Sequence, residues 1–180
     1  WDLADQYGSH PHAARALQDV PRDEVVIATK TTSRNRRGTA KDVDRFLKEI
    51  GTDVIDIVLL HFLHGGNWPR KYSGAMAALT EAKDAGKVRA VGVSCHNLAA
   101  LRTAVTTPWV EVVLARINYA GVNMDGSPGE VVPVLKKLHK ARKGVYGMKV
   151  LGCGQLTSDV PHAFRYVLDL GSVDAMTVGM

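Results

Sequence analysis

The longest apolar run of the chain lies between Gly51 and His61. Residues 54–60 are rich in β-branched side chains and contain a single acid, Asp56. A run of this length, bounded by a glycine and a polar residue, is typical of a β-strand that is buried on both faces. His61 then falls at the C-terminal end of the predicted strand, which is the end that carries the chemistry in parallel α/β folds.

Strand and helix patterns alternate along the rest of the chain. Short apolar runs predict further strands at 25–30, 88–93, 110–115, 145–151 and 173–178, with the stub of another strand at residues 1–2. Between the strands, apolar residues recur at the spacing of one helix face. These faces comprise Val43, Phe46, Leu47 and Ile50, then Ala75, Ala78, Leu79 and Ala82, then Val131, Val134, Leu135 and Leu138.

Capping residues mark the predicted helix ends. The residues predicted to open helices are Thr39, Ser73, Asn97 and Pro161. The residues predicted to close them are Gly51, Gly86, Gly144 and Gly171. The segments between helices and strands include two loops, 61–72 and 121–129, and Trp68 in the first is the single candidate for a wall residue of a site.

Repeated strand-then-helix units of roughly 25 to 35 residues predict a parallel sheet with crossover helices. Six strands and a stub occur without a glycine-rich dinucleotide fingerprint after any of them, and GCG at residues 152–154 is too short for one. An α/β fold of the (β/α)₈ TIM barrel type, running from the end of strand 2 to strand 8, therefore fits better than a doubly wound sheet. We expect residues 1–180 to form one partial barrel domain and to be a segment of a longer protein.

Composition narrows the class of protein. The chain has 180 residues, of which 46% are hydrophobic, and this suits one globular domain with a sizeable core. No apolar run approaches the roughly 18 residues that a membrane span requires. The two cysteines, Cys95 and Cys153, are far apart and lack metal-binding spacing, which favours a reducing compartment and predicts a cytoplasmic protein.

The net charge of +5 comes partly from two basic clusters, at residues 34–37 and 136–143. Neither cluster is interleaved with aromatic residues, as a nucleic-acid surface would require. A basic loop and a solvated helix face are therefore the preferred interpretations, and we expect neither nucleic acid nor membrane as a partner. A small ligand that carries phosphate is compatible with the charge.

Four residues that can do chemistry follow predicted strands. They are Asp2, Tyr7, Lys30 and His61. Taken singly, each such residue is more often an ordinary polar group of a loop or strand end. Because parallel strands end at the same edge of a sheet, all four are expected to gather around one mouth.

The chain also resembles the aldo-keto reductase family. The matching stretches are WDLADQYG at the start, VVIATK at 25–30, FLKEIGTDVIDIVLLH at 46–61 and AGKVRAVGVS at 85–94, followed by strands that end near Tyr119, Leu151 and Met180. The resemblance covers nearly the whole chain. It implies hydride transfer from a reduced nicotinamide, usually NADPH with NADH as the alternative, to an aldehyde or ketone, or the reverse reaction. The partner is then a small carbonyl or alcohol substrate.

The resemblance gives each of the four residues a role. Tyr7 matches the family's proton donor, Lys30 and Asp2 the charged pair beside it, and His61 the histidine that orients the carbonyl. Chemistry supports these roles, because hydride addition builds negative charge on the carbonyl oxygen and requires a donor there. A tyrosine titrates near 10. The Lys30 cation is expected to lower the pKa of the Tyr7 phenol by favouring the phenolate.

The resemblance also suggests cofactor contacts. Ser94 matches a serine that holds the nicotinamide carboxamide, and Cys95 follows it where the family often has asparagine. Arg116 stands where many members have a glutamine against the same carboxamide, and Met148 where many have a stacking aromatic. Backbone amides near Leu151 and Gly152 are candidates for binding the pyrophosphate of the cofactor. An ordinary strand end followed by a glycine turn, with no binding role, explains the segment equally well.

Two alternatives remain at this level. A metal-dependent hydrolase could use the pair His10 and His12 with Lys30, His61 and His96, but the pair lies beyond the strand and enters a helix, so we predict no metal. The second alternative is a non-catalytic relative of the family that binds a nucleotide. The sequence names neither the substrate nor the oligomeric state. The family's usual 2′-phosphate site is expected outside the chain, so comparable weak affinities for NADPH and NADH are predicted for the chain alone.

Overall fold

Six strands and seven α-helices alternate along residues 1–179, which are the residues that the computed structural model describes. The strands are β1 (Ala28–Thr31), β2 (Ile55–Leu63), β3 (Val88–Cys95), β4 (Val112–Arg116), β5 (Gly144–Met148) and β6 (Ala175–Met176). The helices are α1 (His10–Ala16), α2 (Arg36–Ile50), α3 (Trp68–Lys71), α4 (Ser73–Asp84), α5 (Leu98–Thr106), α6 (Pro128–Lys140) and α7 (Val160–Asp169). The strand end suggested near Met180 lies outside the described residues.

The strands follow one another in the sheet in chain order, from β1 to β6. The pairs β1–β2, β4–β5 and β5–β6 are parallel. A doubly wound sheet would reverse its strand order at a switch point, whereas the strands of a (β/α)₈ barrel do not. Asp2 forms an isolated parallel bridge with Ala28, as the predicted stub requires. The predicted fold class is therefore confirmed.

The chain divides into two compact units, each with its own core. The first comprises residues 1–62 and 68–92, and the second comprises 63–67 and 93–179. In the first unit α2 packs against α4, and Val43, Phe46 and Leu79 are fully or almost fully buried there. In the second, α5 packs against α6, with Leu101 and Leu135 fully buried. Of the predicted apolar faces, only Leu47 is partly exposed.

The two strands beside the candidate site differ from their predicted bounds. β1 begins at Ala28 rather than residue 25, because side chains bind the preceding backbone: Arg22 donates to the Val25 carbonyl and Asp56 accepts from the Ile27 N–H. β2 extends to residue 63, so His61 lies inside the strand rather than at its end. The exposed Phe62 follows with a φ of 62° and interrupts the regular extended backbone.

The later strands differ as well. β3 continues past residue 93 and includes Ser94 and Cys95. β5 ends at Met148, and the predicted continuation to Leu151 is wrong because Lys149 adopts a φ of 64°, which ends the extended conformation. β4 runs one residue further than predicted, to Arg116, and β6 has only two residues.

Helix ends were predicted correctly at some positions and wrongly at others. Asn97 caps α5 by accepting from the Ala99 N–H, and Gly51 closes α2 in the left-handed conformation. The cap of α2 is Asn35 rather than Thr39, which places two of the basic residues at 34–37 in the first helical turn. Gly144 opens β5 and does not close α6. The predicted loop at 61–72 contains α3, where Trp68 is fully buried.

Asp56, the acid inside the central apolar run, is the buried anchor of the first unit. Its carboxylate accepts hydrogen bonds from Arg22 at 2.6 Å, from Arg89 at 2.6 Å and from the Ile27 N–H at 2.8 Å. Burial alone would raise the pKa of this carboxyl, but these hydrogen bonds and the two guanidinium charges hold its pKa below the ordinary value. Arg89 is largely exposed, so Arg22 and Ile27 carry most of the stabilisation.

We predict that Asp56→Ala lowers the free energy of unfolding by about 3 kcal/mol, because it leaves a buried N–H without an acceptor and Arg22 without its counter-ion. The pKa of the native carboxyl is depressed, so this contribution is present above about pH 4 and lost at lower pH. Urea unfolding at pH 7 and pH 3 measures both effects. The control is Asp53→Ala at an exposed position of the same segment. Equal small effects for the two variants would contradict the assignment.

Candidate active site

Lys30 is the deepest charged residue of the candidate site. β1 places it in the first unit with no exposed surface. Its ammonium donates to Asp2 Oδ1 at 2.7 Å and to the Leu3 carbonyl at 2.7 Å. Burial lowers the pKa of Lys30, while the charge and hydrogen bond of Asp2 act against that decrease. A buried ammonium requires such partners, so Asp2 keeps Lys30 both charged and fixed.

Tyr7 ends a short 3₁₀ turn at Asp5–Tyr7, and Gly8 follows with a φ of 62°. The Lys30 ammonium lies 5.1 Å from the centroid of the Tyr7 ring. Tyr7 is 56% exposed, but its partial burial, followed by the negative charge of Asp2, raises the pKa of the phenol. The expected net decrease of this pKa is therefore wrong, because burial and the Asp2 charge outweigh any stabilisation of the phenolate by Lys30. The Lys30 ammonium lies over the Tyr7 ring and donates its hydrogen bonds to Asp2 and to the Leu3 carbonyl. Because the pKa of Tyr7 is raised, its phenol is protonated at neutral pH.

His61 completes the group from β2. It is 3% exposed, and its ring meets the Tyr7 ring edge to face, with centroids 5.9 Å apart and planes at 84°. Burial lowers its pKa to about 4, and the positive charges of Lys30 and Arg34 act in the same direction. The imidazole is consequently neutral at pH 7, so one ring nitrogen can donate a hydrogen bond to an uncharged oxygen and the other can accept one.

The structure thus brings Asp2, Tyr7, Lys30 and His61 together in the first unit, as the sequence predicted. The arrangement holds an accessible phenol beside a buried cation and a neutral imidazole. Such a set can donate a proton to an oxygen that becomes negatively charged and can stabilise the phenolate that is left. Their catalytic roles stay predictions.

Arg34 is a neighbour whose place at this site the sequence did not reveal. Its guanidinium lies 4.7 Å from the centroid of the Tyr72 ring and donates to the backbone carbonyl of His61. The charge of Arg34 contributes to lowering the pKa of His61, after burial and the charge of Lys30. Its position four residues after Lys30, in the loop that follows a strand, was the available signal.

The predicted cofactor residues lie in the second unit. Ser94 and Cys95 are fully buried, and the Ser94 hydroxyl has no hydrogen-bond partner within residues 1–179. Arg116 and Met148 are register partners on β4 and β5. An unpartnered buried hydroxyl leaves a donor and an acceptor for a polar ligand group, so Ser94 is compatible with the predicted carboxamide contact.

The proposed pyrophosphate segment follows β5. Leu151 precedes a 3₁₀ turn, and Gly152 has a φ of 56°. A Cβ added at Gly152 would lie 3.0 Å from the Leu156 side chain, so both conformation and space favour glycine there. Whether its amides bind phosphate stays a prediction.

A second residue that the sequence did not reveal is Asp125, in the loop between β4 and α6. Arg116 Nη1 lies 3.2 Å from Asp125 Oδ1, and the side chains are 22% and 2% exposed. Asp125 Oδ2 and Arg116 Nε are both buried without a hydrogen-bond partner among the described residues. Burial raises the pKa of Asp125, although the charges of Arg116 and His64 act against the increase. Nothing in the sequence distinguished this acid from those of solvated loops.

His10, the first ligand of the alternative metal site, is occupied by other contacts. His10 Nδ1 lies 2.8 Å from Glu49 and His10 Nε2 lies 2.8 Å from the Thr29 hydroxyl, so both ring nitrogens are already engaged. Over residues 1–179, no group of three or more histidine, cysteine or acidic residues is arranged to hold a metal ion. His10 is therefore a packing residue at the N-terminus of α1, whereas His12 is exposed.

Comparison with known proteins identifies the family. The model of the Aldo/keto reductase family matches residues 1–166. The chain is 33% identical over 111 residues to 2,5-diketo-D-gluconic acid reductase B of Corynebacterium, covering 58% of this chain and 38% of that protein. It is 30% identical over 157 residues to L-galactose dehydrogenase of Arabidopsis thaliana, covering 82% of this chain and 47% of that protein. The chain belongs to the aldo/keto reductase family.

Solved structures agree on the fold. An aldo-keto reductase from Bacillus halodurans superposes with a TM-score of 0.81 at 17% identity, covering 99% of this chain and 71% of that one. The chain spans less than half the length of the two curated relatives named above. In the described part of the chain, no helix combines the length and the apolar character that a membrane span needs.

We predict that His61 makes stability depend on pH. Its native pKa of about 4 lies below the ordinary 6.5, so the unfolded chain binds this proton more readily between those values. The contribution is complete above about pH 6.5 and is lost as the pH falls towards 4, by at most about 3 kcal/mol. Urea unfolding between pH 4 and 7.5 should show a shallower dependence for His61→Asn.

The matched control is His12→Asn at an exposed position of α1, which should keep the wild-type dependence. A His61→Asn profile parallel to that of the wild type would show that His61 is not the group responsible.

Proposed function

We propose that the chain is part of an NAD(P)H-dependent oxidoreductase that reduces aldehydes or ketones, or oxidises alcohols, with Tyr7 as the proton donor. One observation carries the proposal: the buried Lys30–Asp2 ion pair at 2.7 Å lies under the ring of an accessible tyrosine that also contacts His61. Membership of the aldo/keto reductase family supports it.

The chemistry separates into what the cofactor supplies and what the chain supplies. A reduced nicotinamide supplies hydride when bound. The chain supplies the proton, since the raised pKa of Tyr7 keeps its phenol protonated at neutral pH. Lys30 is fully buried, so it acts through Tyr7: its charge stabilises the phenolate that remains after proton transfer. Neutral His61 is placed to hydrogen-bond the substrate oxygen.

The proposed cofactor contacts are those of the second unit. Ser94, Arg116 and Cys95 would face the nicotinamide carboxamide and Met148 the ring, while Leu151 and Gly152 would contribute backbone near the pyrophosphate. NADPH is the preferred cofactor and NADH the alternative. We further infer a reducing, cytoplasmic location from the two unbonded cysteines.

The substrate is a small carbonyl compound or alcohol. The names of two relatives concern a diketo sugar acid and the sugar L-galactose. A first substrate panel should therefore combine simple aldehydes with keto acids and aldoses, measured by NADPH consumption in the complete protein that carries this chain.

We predict that Tyr7→Phe lowers turnover a hundred- to ten-thousand-fold, because it removes the proton donor and keeps the ring. Cofactor affinity, measured by fluorescence quenching, should be unchanged. Tyr166→Phe in α7 is the matched control and should retain full turnover. If Tyr7→Phe reduces carbonyls at the wild-type rate, the assignment of the donor is wrong. Cofactor binding by the wild type without turnover of any substrate would favour a non-catalytic nucleotide-binding relative.

We predict a loss of the same order for Lys30→Met, by a different route. Removing the cation leaves the Asp2 charge uncompensated beside the phenol, so the phenolate becomes harder to form. The Tyr7→Phe/Lys30→Met double variant should be little worse than either single variant, because both disable one proton-transfer unit. Losses that multiply fully would show that Lys30 acts independently of Tyr7. Thermal melts of all three variants control for folding.

A further inference from the structure

Besides the Ser172 hydroxyl, three buried polar atoms of the second unit lack hydrogen-bond partners among the described residues. They are the Ser94 hydroxyl, Arg116 Nε and Asp125 Oδ2. A buried polar group without a partner is costly to folding, and native proteins contain few of them. Arg116 and Asp125 are joined by the 3.2 Å contact between their other atoms, so two of the three belong to one cluster.

The third atom, the Ser94 hydroxyl, lies near the end of β3. Ser94 precedes Cys95 at the end of β3, and the charge of Asp125 contributes to raising the pKa of the buried Cys95 thiol. A Cβ added at Gly126, the residue after Asp125, would lie 3.3 Å from the side chain of Leu98, which begins α5 just after β3. Asp125 is therefore close to the segment that follows β3 as well as to Arg116. The cluster offers one anionic acceptor, one cationic donor and one hydroxyl.

Hydrogen bonds of the Asn118 side chain hold the loop that carries Asp125 in place. Buried Asn118 donates to the carbonyls of Val122 and Lys149 at 2.7 and 3.0 Å and accepts from the N–H groups of Ala120 and Val122. The Asn118 N–H also contacts the Met124 sulfur at 3.2 Å. Asp125 is thus presented by a fixed loop, which lowers the entropic cost of binding a ligand.

The cluster complements a primary carboxamide. Such a group has one carbonyl acceptor and an NH₂ that donates twice. Ser94 and Arg116 Nε can donate to the carbonyl oxygen, but neither Arg116 nor the Cys95 thiol offers the NH₂ a good acceptor. An asparagine or glutamine at those two positions would offer a carbonyl oxygen. Asp125 Oδ2 is the unused acceptor that takes that role.

We infer that Asp125 is a cofactor-binding residue of this chain, accepting a hydrogen bond from the NH₂ of the nicotinamide carboxamide while its other oxygen holds Arg116. The inference rests on the proposed use of a nicotinamide cofactor. It makes the cluster selective for a carboxamide over groups of the same shape that lack the NH₂.

The test compares NADPH with its reduced 3-acetylpyridine analogue, in which a methyl group replaces the NH₂ and the carbonyl remains. Dissociation constants are measured by fluorescence and calorimetry on the complete protein. The wild type should bind NADPH about ten- to a hundred-fold more tightly, the value of a hydrogen bond to a charged acceptor. Asp125→Ala should bring the two constants to within about threefold by weakening NADPH alone, and Asp125→Asn should keep part of the preference.

A second variant restores an acceptor at the other position. Asp125→Ala/Arg116→Gln should recover preference for NADPH, because the glutamine carbonyl replaces the lost oxygen. Asp169→Asn, at an exposed end of α7, is the matched control and should behave as the wild type.

The outcomes separate this inference from the proposed function. Equal affinity of the wild type for both cofactors, or equal weakening of both by Asp125→Ala, overturns the inference and leaves the oxidoreductase assignment standing. Failure of the wild type to bind either cofactor overturns both. Should Asp125→Ala fail to fold, the wild-type preference and its reduction in Asp125→Asn decide the question.

Discussion

The buried ammonium of Lys30 is the constraint on which the first unit depends. A lysine with no exposed surface is tolerated only when acceptors surround it, and here Asp2 and the Leu3 carbonyl provide them. Both acceptors come from the first residues of the chain, so Lys30 also ties the Asp2–Ala28 bridge to the edge of β1. The 3₁₀ turn that follows then carries Tyr7 over the same ammonium. The accessible phenol therefore lies beside this ion pair, and the Asp5–Arg45 contact at 2.8 Å holds the turn that carries it.

The charges of Lys30, Arg34 and Asp2 also shift the pKa values of His61 and Tyr7 in opposite directions. Lys30 and Arg34 add to burial in lowering the pKa of His61 to about 4, whereas Asp2 adds to burial in raising the pKa of Tyr7. At neutral pH the imidazole is uncharged and the phenol is protonated. Neighbouring groups whose pKa values are pushed apart mark the assignment of acid and partner in enzyme sites. The separation arises from ordinary burial and from three nearby charges.

The sequence predicted what local periodicity and strand order determine. The apolar stripes of α2, α4 and α6, the caps at Gly51 and Asn97, and the gathering of Tyr7, Lys30 and His61 follow from spacing and parallel pairing. It failed where one residue's backbone or side chain decides the result. Lys149 ends β5 early through its left-handed conformation, and Asn35 takes the cap that Thr39 was expected to fill. The raised pKa of Tyr7 depends on its partial burial and on the nearby Asp2 charge, which no spacing encodes.

Asp125 shows the limit of sequence patterns most clearly. It lies in a turn-rich loop where acids are usually solvated, yet its side chain is 2% exposed and its pKa is raised despite the contact with Arg116. The attraction between the two groups thus does not offset the cost of burying this carboxylate. Asn118 fixes the loop through four hydrogen bonds and holds the acid in that costly position. The inferred role of Asp125 in ligand binding accounts for this arrangement, because a ligand would supply the donor that Asp125 Oδ2 lacks among the described residues.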